Sequence, residues 1–239
     1  LKEEEGNYLV EHIANDRLLR AVAEQLKLPL LQIVHLADLM QSSQEESDLR
    51  NVRYVAQTAL QLVDGFLLSA DSRNQEVFQL EPVSIASVLN DTAHKLTPMA
   101  RQNECKLELS VKGRYEPVMA NHRFLESALM LLGYGMIESR SADSDNRQVL
   151  LAAHKSNRGL VAGVFDDLPA IGIDSLRRGR ALFGDTRQPV PSAFSSSSAS
   201  IFVADALFRA METTLYPARH RRFTGLAATF HLSTQLSIL

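Results

Sequence analysis

The chain has 239 residues, 45% hydrophobic and 22% charged, with a formal net charge of -3. That near-neutral balance gives no electrostatic case for a nucleic-acid or membrane-surface binder, and the length suits one large or two modest domains. Cys105 is the only cysteine, so no internal disulfide can form, and no apolar run approaches the roughly 18 to 20 residues needed to cross a bilayer.

The chain opens Leu1-Lys2-Glu3-Glu4-Glu5 without a signal-peptide pattern. A start at Leu rather than Met suggests a fragment of something longer, with any membrane or sensor segment upstream. From about 8 to 41 the apolar residues keep helical time: Leu19, Val22, Leu26, Leu30, Ile33, Ala37 and Met40 form one stripe. Pro29 lies inside that stripe and predicts a kink near Leu26, because proline removes a donor and crowds the turn before it. A polar connection over 41–46 follows, and Ser47 and Asp48 suit the start of a second helix. Its stripe is Leu49, Val52, Ala56, Ala59, Val63, Phe66 and Ala70.

A short polar link between two such helices predicts an antiparallel hairpin. The first helix would be about 50 Å long, and no third helix follows to cover it. Pairing two hairpins into a four-helix bundle buries both stripes, so homodimerisation is expected on physical grounds.

Beyond 71–77 the period changes. Strands are predicted at 77–80, 106–111, 117–120, 148–154, 160–165, 214–217 and 226–232, and helices at 85–101, 122–139, 175–183 and 200–212. Long helices mixed with mostly antiparallel strands predict an α+β sandwich with helices on one face of a sheet. The expected domains are therefore 1–72, helical, and 77–239, the sandwich. Cys105 reads as a small, half-buried strand residue. The serine run 195–198 reads as part of a loop that also holds Pro189 and Pro191. The basic clusters 177–180 and 219–222 read as solvated loops, since no aromatics interleave them.

The segment Ala23-Glu24-Gln25-Leu26-Lys27-Leu28-Pro29-Leu30 is similar to a phosphoacceptor box of the form Ser-His-Glu-Leu-Arg-Thr-Pro-Leu. The run Phe124-Leu125-Glu126-Ser127-Ala128-Leu129 is similar to the lead-in of a nucleotide-binding helix. Phe165-Asp166-Asp167-Leu168-Pro169-Ala170-Ile171 is similar to an Asp-x-Gly-x-Gly box, Arg180-Ala181-Leu182-Phe183 to the phenylalanine box after it, and the segment 223–230 to a closing hairpin. In number, order and spacing these motifs resemble the core of bacterial sensor histidine kinases over almost the whole chain. The resemblance implies a helical dimerisation hairpin followed by a Bergerat-type ATPase sandwich, acting in two-component signalling.

The same alignment implies that the chemistry has been replaced. Glu24 stands where the phosphoacceptor histidine belongs and Gln25 where its neighbouring acid belongs; Leu28 holds the phosphatase position. A carboxylate is a poor phosphoryl acceptor without activation, and an amide is no base. His35 is the one remote alternative acceptor: 11 residues past Glu24, it lies about 20° off the same face but roughly 16 Å along it. His12 lies on another face, and His94, His122, His154, His220 and His231 are scattered without metal-ligand spacing. Met130 and Tyr134 hold the positions of the two asparagines that serve Mg²⁺ and phosphate, and neither suits a hard cation. Leu168 and Ala170 replace glycines of the first glycine box, and Phe194, Ser196 and Ser198 those of the second. Asp166, Ser196, Ser198 and Ser200 remain as a vestigial nucleotide site, with Ser200 as a candidate helix cap.

The expectation is a dimeric, cytoplasmic pseudokinase with no cofactor and no metal site, whose partners are a receiver domain or another kinase. Nucleic acid and a membrane within the fragment are not expected. The alternatives are a divergent active kinase or phosphotransferase using an acceptor such as His35, and a module that still binds ATP without catalysis.

Overall fold

The computed structural model describes residues 79–138, 147–167 and 200–233 and the backbone of 196–199. Outside these it describes Leu30, Ile33, positions 52, 56, 59–61, 63–65, 67 and 68, and Leu176, Arg177 and Arg180. Glu24, Gln25, Leu28, Pro29, His35, Leu168, Ala170 and Phe194 lie outside the described residues, as does the link between the two predicted long helices. The described positions between 52 and 68 are all helical.

From residue 79 the chain runs β1 (Glu81–Val83), α1 (Ile85–Gln102), β2 (Lys106–Val111), β3 (Val118–Ala120) and α2 (His122–Glu138). It continues through β4 (Gln148–Ser156), β5 (Gly159–Asp166), α3 (Ser196–Ala210), β6 (Tyr216–His220) and β7 (Phe223–Phe230). Strands β1 and β3 form a small antiparallel pair, and the main sheet has the order β2-β4-β5-β7-β6. Its pairings are antiparallel except β2 with β4, so the α+β expectation holds.

Local chemistry sets several boundaries. Ser84 caps α1 by accepting a hydrogen bond from the Ser87 amide at 3.3 Å. Cross-strand pairing continues through Lys155 with Leu160 and Ser156 with Gly159 up to the Asn157-Arg158 turn, which is why β4 and β5 run longer than predicted. Other boundaries moved as well. The first described strand falls at 81–83 rather than 77–80, in an edge position that tolerates Pro82, which has no N–H to donate. Strand β6 begins at Tyr216 instead of 214, and β7 at Phe223 instead of 226, because the basic run expected to be loop is itself the hairpin: Arg221 turns it at φ 55°. Helix α3 begins at Ser196, four residues before the predicted start, so the last three serines of the run open the helix.

The main core lies between the sheet and the helices. Val149, Leu151, Leu160, Ala162 and Val164 face α1, α2 and α3 from the strands. Gly133 brings α1 and α2 together, since a Cβ there would stand 2.3 Å from Leu96 Cδ1. Every residue of α2 from 128 to 137 is buried, as is α3 from 200 to 205. A helix buried all round needs cover on both sides. The sheet covers one side, and the helical segment 52–68 contributes on the other. Gly65 meets both helices, because a Cβ there would lie 2.7 Å from Leu131 Cδ1 and 3.5 Å from Val203 Cγ1. Leu68 packs on the same core.

A second, smaller cluster of Leu150, Ala152, Val161, Phe165, Phe223 and Ala227 lies on the opposite sheet face. The sheet coils strongly enough for the β6–β7 turn to cross this face. Arg222 Nη2 donates to Gln148 Oε1 at 3.2 Å, and His220 on one edge strand comes within 3.3 Å of Ser110 on the other.

Candidate functional site

The residues predicted to serve a nucleotide lie on the helix-covered face. Asp166 ends β5, opposite Val149 of β4. Two residues before Val149 on the same side of the sheet stands Arg147, and its guanidinium grips the aspartate. Arg147 Nε donates to Asp166 Oδ2 at 3.1 Å, and Nη2 donates to the same oxygen. The two side chains are 3% and 2% exposed, so this is an ion pair removed from water. The carboxylate expected to belong to a vestigial nucleotide site is thus held by the protein's own cation. Arg147 escaped the sequence reading, although the register of the β4–β5 hairpin would have brought an arginine before one strand to an acid ending the next.

Cys105 is 7% exposed and lies just before β2 rather than within it. Burial raises its thiol pKa. The charge of Arg147 lowers that pKa and the charge of Asp166 raises it, which marks the thiol as a neighbour of the pair. An uncharged, enclosed thiol is a packing group and a weak nucleophile.

Met130 and Tyr134 are both buried in α2, at 2% and 7% exposure, and burial raises the Tyr134 phenol pKa. A thioether and a protonated phenol are poor ligands for a hard cation. Beside Met130 a cleft of about 390 Å³ opens between the 61–68 segment and helices α1 and α2, bridged by the Lys95–Glu126 ion pair. Among the described residues no group of three or more His, Cys, Asp or Glu side chains is placed to hold a metal. Met130 and Tyr134 therefore supply no ligand suited to a hard cation.

The serine positions differ from their predicted setting. Ser196 and Ser198 belong to the first turn of α3, and Ser200 is the fifth residue of that helix, 2% exposed. Ser200 is therefore an interior residue and not the cap. Further along α3, Asp205 is 1% exposed and receives a forked contact from Arg180, with Nε at 3.2 Å and Nη2 at 3.1 Å. Arg209 Nε adds a third at 3.1 Å, and Arg180 also donates to the Leu215 carbonyl. The start of the phenylalanine box is thereby tied to α3 through a planar bidentate pair.

The histidines read as scattered do not all stay apart. Coiling of the sheet brings His220 Nδ1 within 3.2 Å of His154 Nδ1, with Ser110 Oγ on the other His220 nitrogen. The His220 pKa is lowered, first by burial and then by the charges of His154, Arg221 and Lys112. The pair joins strands 66 residues apart in sequence, a contact no local spacing reveals.

No protein-family model matches the chain, and neither does any curated protein. Solved structures do. The Acinetobacter baumannii histidine kinase AdeS matches with a TM-score of 0.57 at 14% identity, over 87% of this chain and 97% of that one. Histidine kinase ThkA, in its complex with the response regulator protein TrrA, matches with a TM-score of 0.56 at 11% identity, over 95% of this chain and 66% of that one. Full-length ShkA, in complex with AMPPNP, matches with a TM-score of 0.52 at 16% identity, over 93% of this chain and 46% of that one. At such identities the likeness speaks for the fold alone, and it spans both the helical segment and the sandwich. The chain has the fold of a sensor histidine kinase core.

Proposed function

We propose that the chain is a dimeric, histidine-kinase-like module of two-component signal transduction that works by conformation and protein docking, without phosphoryl transfer. The observation that carries this reading is the buried Arg147–Asp166 pair: the one acid of the nucleotide box that survives in sequence is already neutralised from within. Glu24 and Gln25 at the phosphoacceptor box, and Met130 and Tyr134 at the metal-binding positions, support the same conclusion. Residues 1–72 would form the dimerising hairpin and 77–239 the ATPase-like domain, acting in the cytoplasm. Among the described residues no helix is long and apolar enough to cross a membrane.

Dimerisation is supported by Leu60 and Leu67, two turns apart on the helical segment and 61% and 52% exposed. Two large apolar side chains on one helix face invite a second copy. Sedimentation of the wild-type chain is expected to give a dimer, and Leu60→Glu/Leu67→Glu a monomer. A wild-type monomer at micromolar concentration would refute the pairing. The partner class is a response-regulator receiver domain, by analogy with the ThkA–TrrA complex, or another kinase.

A second reading, a divergent kinase with His35 as acceptor, draws on the AMPPNP complex of ShkA. Incubation with radiolabelled ATP and Mg²⁺ separates the two. We expect no acid-labile label. Label that disappears in His35→Ala would overturn the proposal.

A further inference from the structure

The contact between His154 and His220 holds the sheet in a shape that strand pairing alone does not require. Strands β5 and β7 lie between β4 and β6, so in a flat sheet the two histidines would be at least about 14 Å apart, three strand spacings. Coiling instead brings their Nδ1 atoms to 3.2 Å. The other ring nitrogen of His220 lies 3.3 Å from Ser110 Oγ on β2, the opposite edge strand. Register puts all three on the face of the smaller apolar cluster: Ser110 opposes Ala152, His154 follows Ala152 by two residues, and His220 opposes Phe223. The His220 ring also lies 5.5 Å from that of Phe165, which is buried in that cluster.

Counting protons shows what this contact can tolerate. A neutral imidazole has one N–H and one lone pair, and an imidazolium has two N–H groups. A hydrogen bond between two Nδ1 atoms holds one proton and needs a lone pair on one ring. One extra proton is accommodated: a charged His154 donates from Nδ1 to His220 Nδ1, while His220 donates from Nε2 to Ser110. A second is not, because two N–H groups on two cations would then face each other. The surrounding charges are mostly positive. Lys112 of β2 and Arg221 of the β6–β7 turn act on His220, Arg222 reaches Gln148 of β4, and Arg158 lines the same cleft as His154. The nearby acids are engaged: Glu108 of β2 by Lys106, and Asp167, after β5, by the Gln148 amide. Tyr216 of β6 is hydrogen-bonded to Thr229. Burial, and then the charges of His154, Arg221 and Lys112, lower the His220 pKa, so this setting keeps its neutral, accepting form. We propose that the His154–His220 pair is a proton-operated latch, which holds the β6–β7 hairpin over β2 and β4 at neutral pH and releases it when both rings are charged. Release uncovers the cluster around Phe165 and Phe223 and presents an apolar surface only in acid. The sign follows from the lowered value: as pH falls through the ordinary histidine value of about 6.5, the open form takes the second proton and the closed form does not. Opening therefore gains until the pH is below the His220 value of the closed form.

Nuclear magnetic resonance of the whole 239-residue chain, labelled with ¹⁵N, tests the assignment. The ring nitrogens of His154 and His220 should report a shared Nδ1 hydrogen bond at about pH 8 and two imidazolium rings at about pH 5, either side of the ordinary histidine value. The second protonation should coincide with shifts of the Ser110, Phe165 and His220 amides. Hydrogen-exchange protection in the β6–β7 hairpin, corrected for intrinsic exchange, should fall about fivefold to tenfold over that range, the scale of one net hydrogen bond. The β4–β5 amides should keep theirs. His154→Gln and His220→Gln each supply an amide that can donate or accept at either pH, so the acid response of the hairpin should vanish in both. The wild-type titration decides the matter whether or not a variant folds. Two rings that become charged independently while hairpin protection stays constant would overturn the latch, as would an acid response that persists in either folded variant.

Discussion

Replacing Arg147 with alanine is expected to destabilise the fold by about 3–5 kcal/mol, the usual cost of removing one partner from a buried ion pair. The cost arises because Asp166, 1% exposed, would lose the guanidinium that offsets its desolvation. Arg147→Lys should recover only part of the loss, since an ammonium cannot reproduce the fork. The informative comparison is Arg147→Leu/Asp166→Leu. Replacing a buried pair by apolar side chains is often neutral, or stabilising by about 1–4 kcal/mol, because both desolvation costs vanish together. Urea unfolding of the three variants therefore predicts an order: the double leucine variant near or above wild type, lysine below it, alanine lowest. If alanine proves harmless, the carboxylate is not held as the structure has it, and the case against nucleotide binding loses its main support.

The second large effect concerns the contact between the helical segment and the sandwich. Gly65 is buried where its missing side chain lets the segment touch Leu131 and Val203. Gly65→Phe is expected to cost about 1–3 kcal/mol by overpacking, or to lift the segment away. Gly65→Ala meets only the flexible end of Leu131 and gains about 1 kcal/mol of helix propensity, so it should be near neutral. Hydrogen exchange reads the difference locally. In Gly65→Phe the amides of α2 and α3 should exchange faster while those of β4 and β5 keep their protection. Uniform acceleration, or none, would mean that the segment does not rest on those helices. The same contact bears on mechanism. A catalytic domain that must swing to reach its acceptor gains nothing from an apolar seal to the helical segment, whereas a module that transmits shape does.

Much of the architecture was legible in the residues themselves. Helices α1 and α2 fell within one residue of their predicted ends, and β2 matched at both. In these stretches the apolar period and the flanking polar residues agree, so local propensity and burial point the same way. The misses share a cause. The serine run at 195–198 looks like loop by composition, yet α3 begins inside it, at Ser196, because the apolar run from Ile201 onward fits against α2. The basic run at 219–222 looks solvated, yet it forms the end of β6 and the turn into β7, held by pairing with a strand whose own apolar residues fill both cores. Tertiary contacts overrode composition in both places.

By itself the sequence determined which side chains occupy the positions that the resemblance to histidine kinases picks out. The identity of a side chain is a local fact, so Glu24, Gln25, Met130 and Tyr134 are read there whatever the fold does with them. Only the tertiary structure decided what became of the residues that remain. Arg147 meets Asp166 because a strand turn folds two distant positions onto one side of a sheet. Gly65 matters because two helices lie against it, and His154 and His220 meet because the sheet coils. Contacts between residues far apart along the chain depend on closure of the fold, which no window of neighbouring residues encodes.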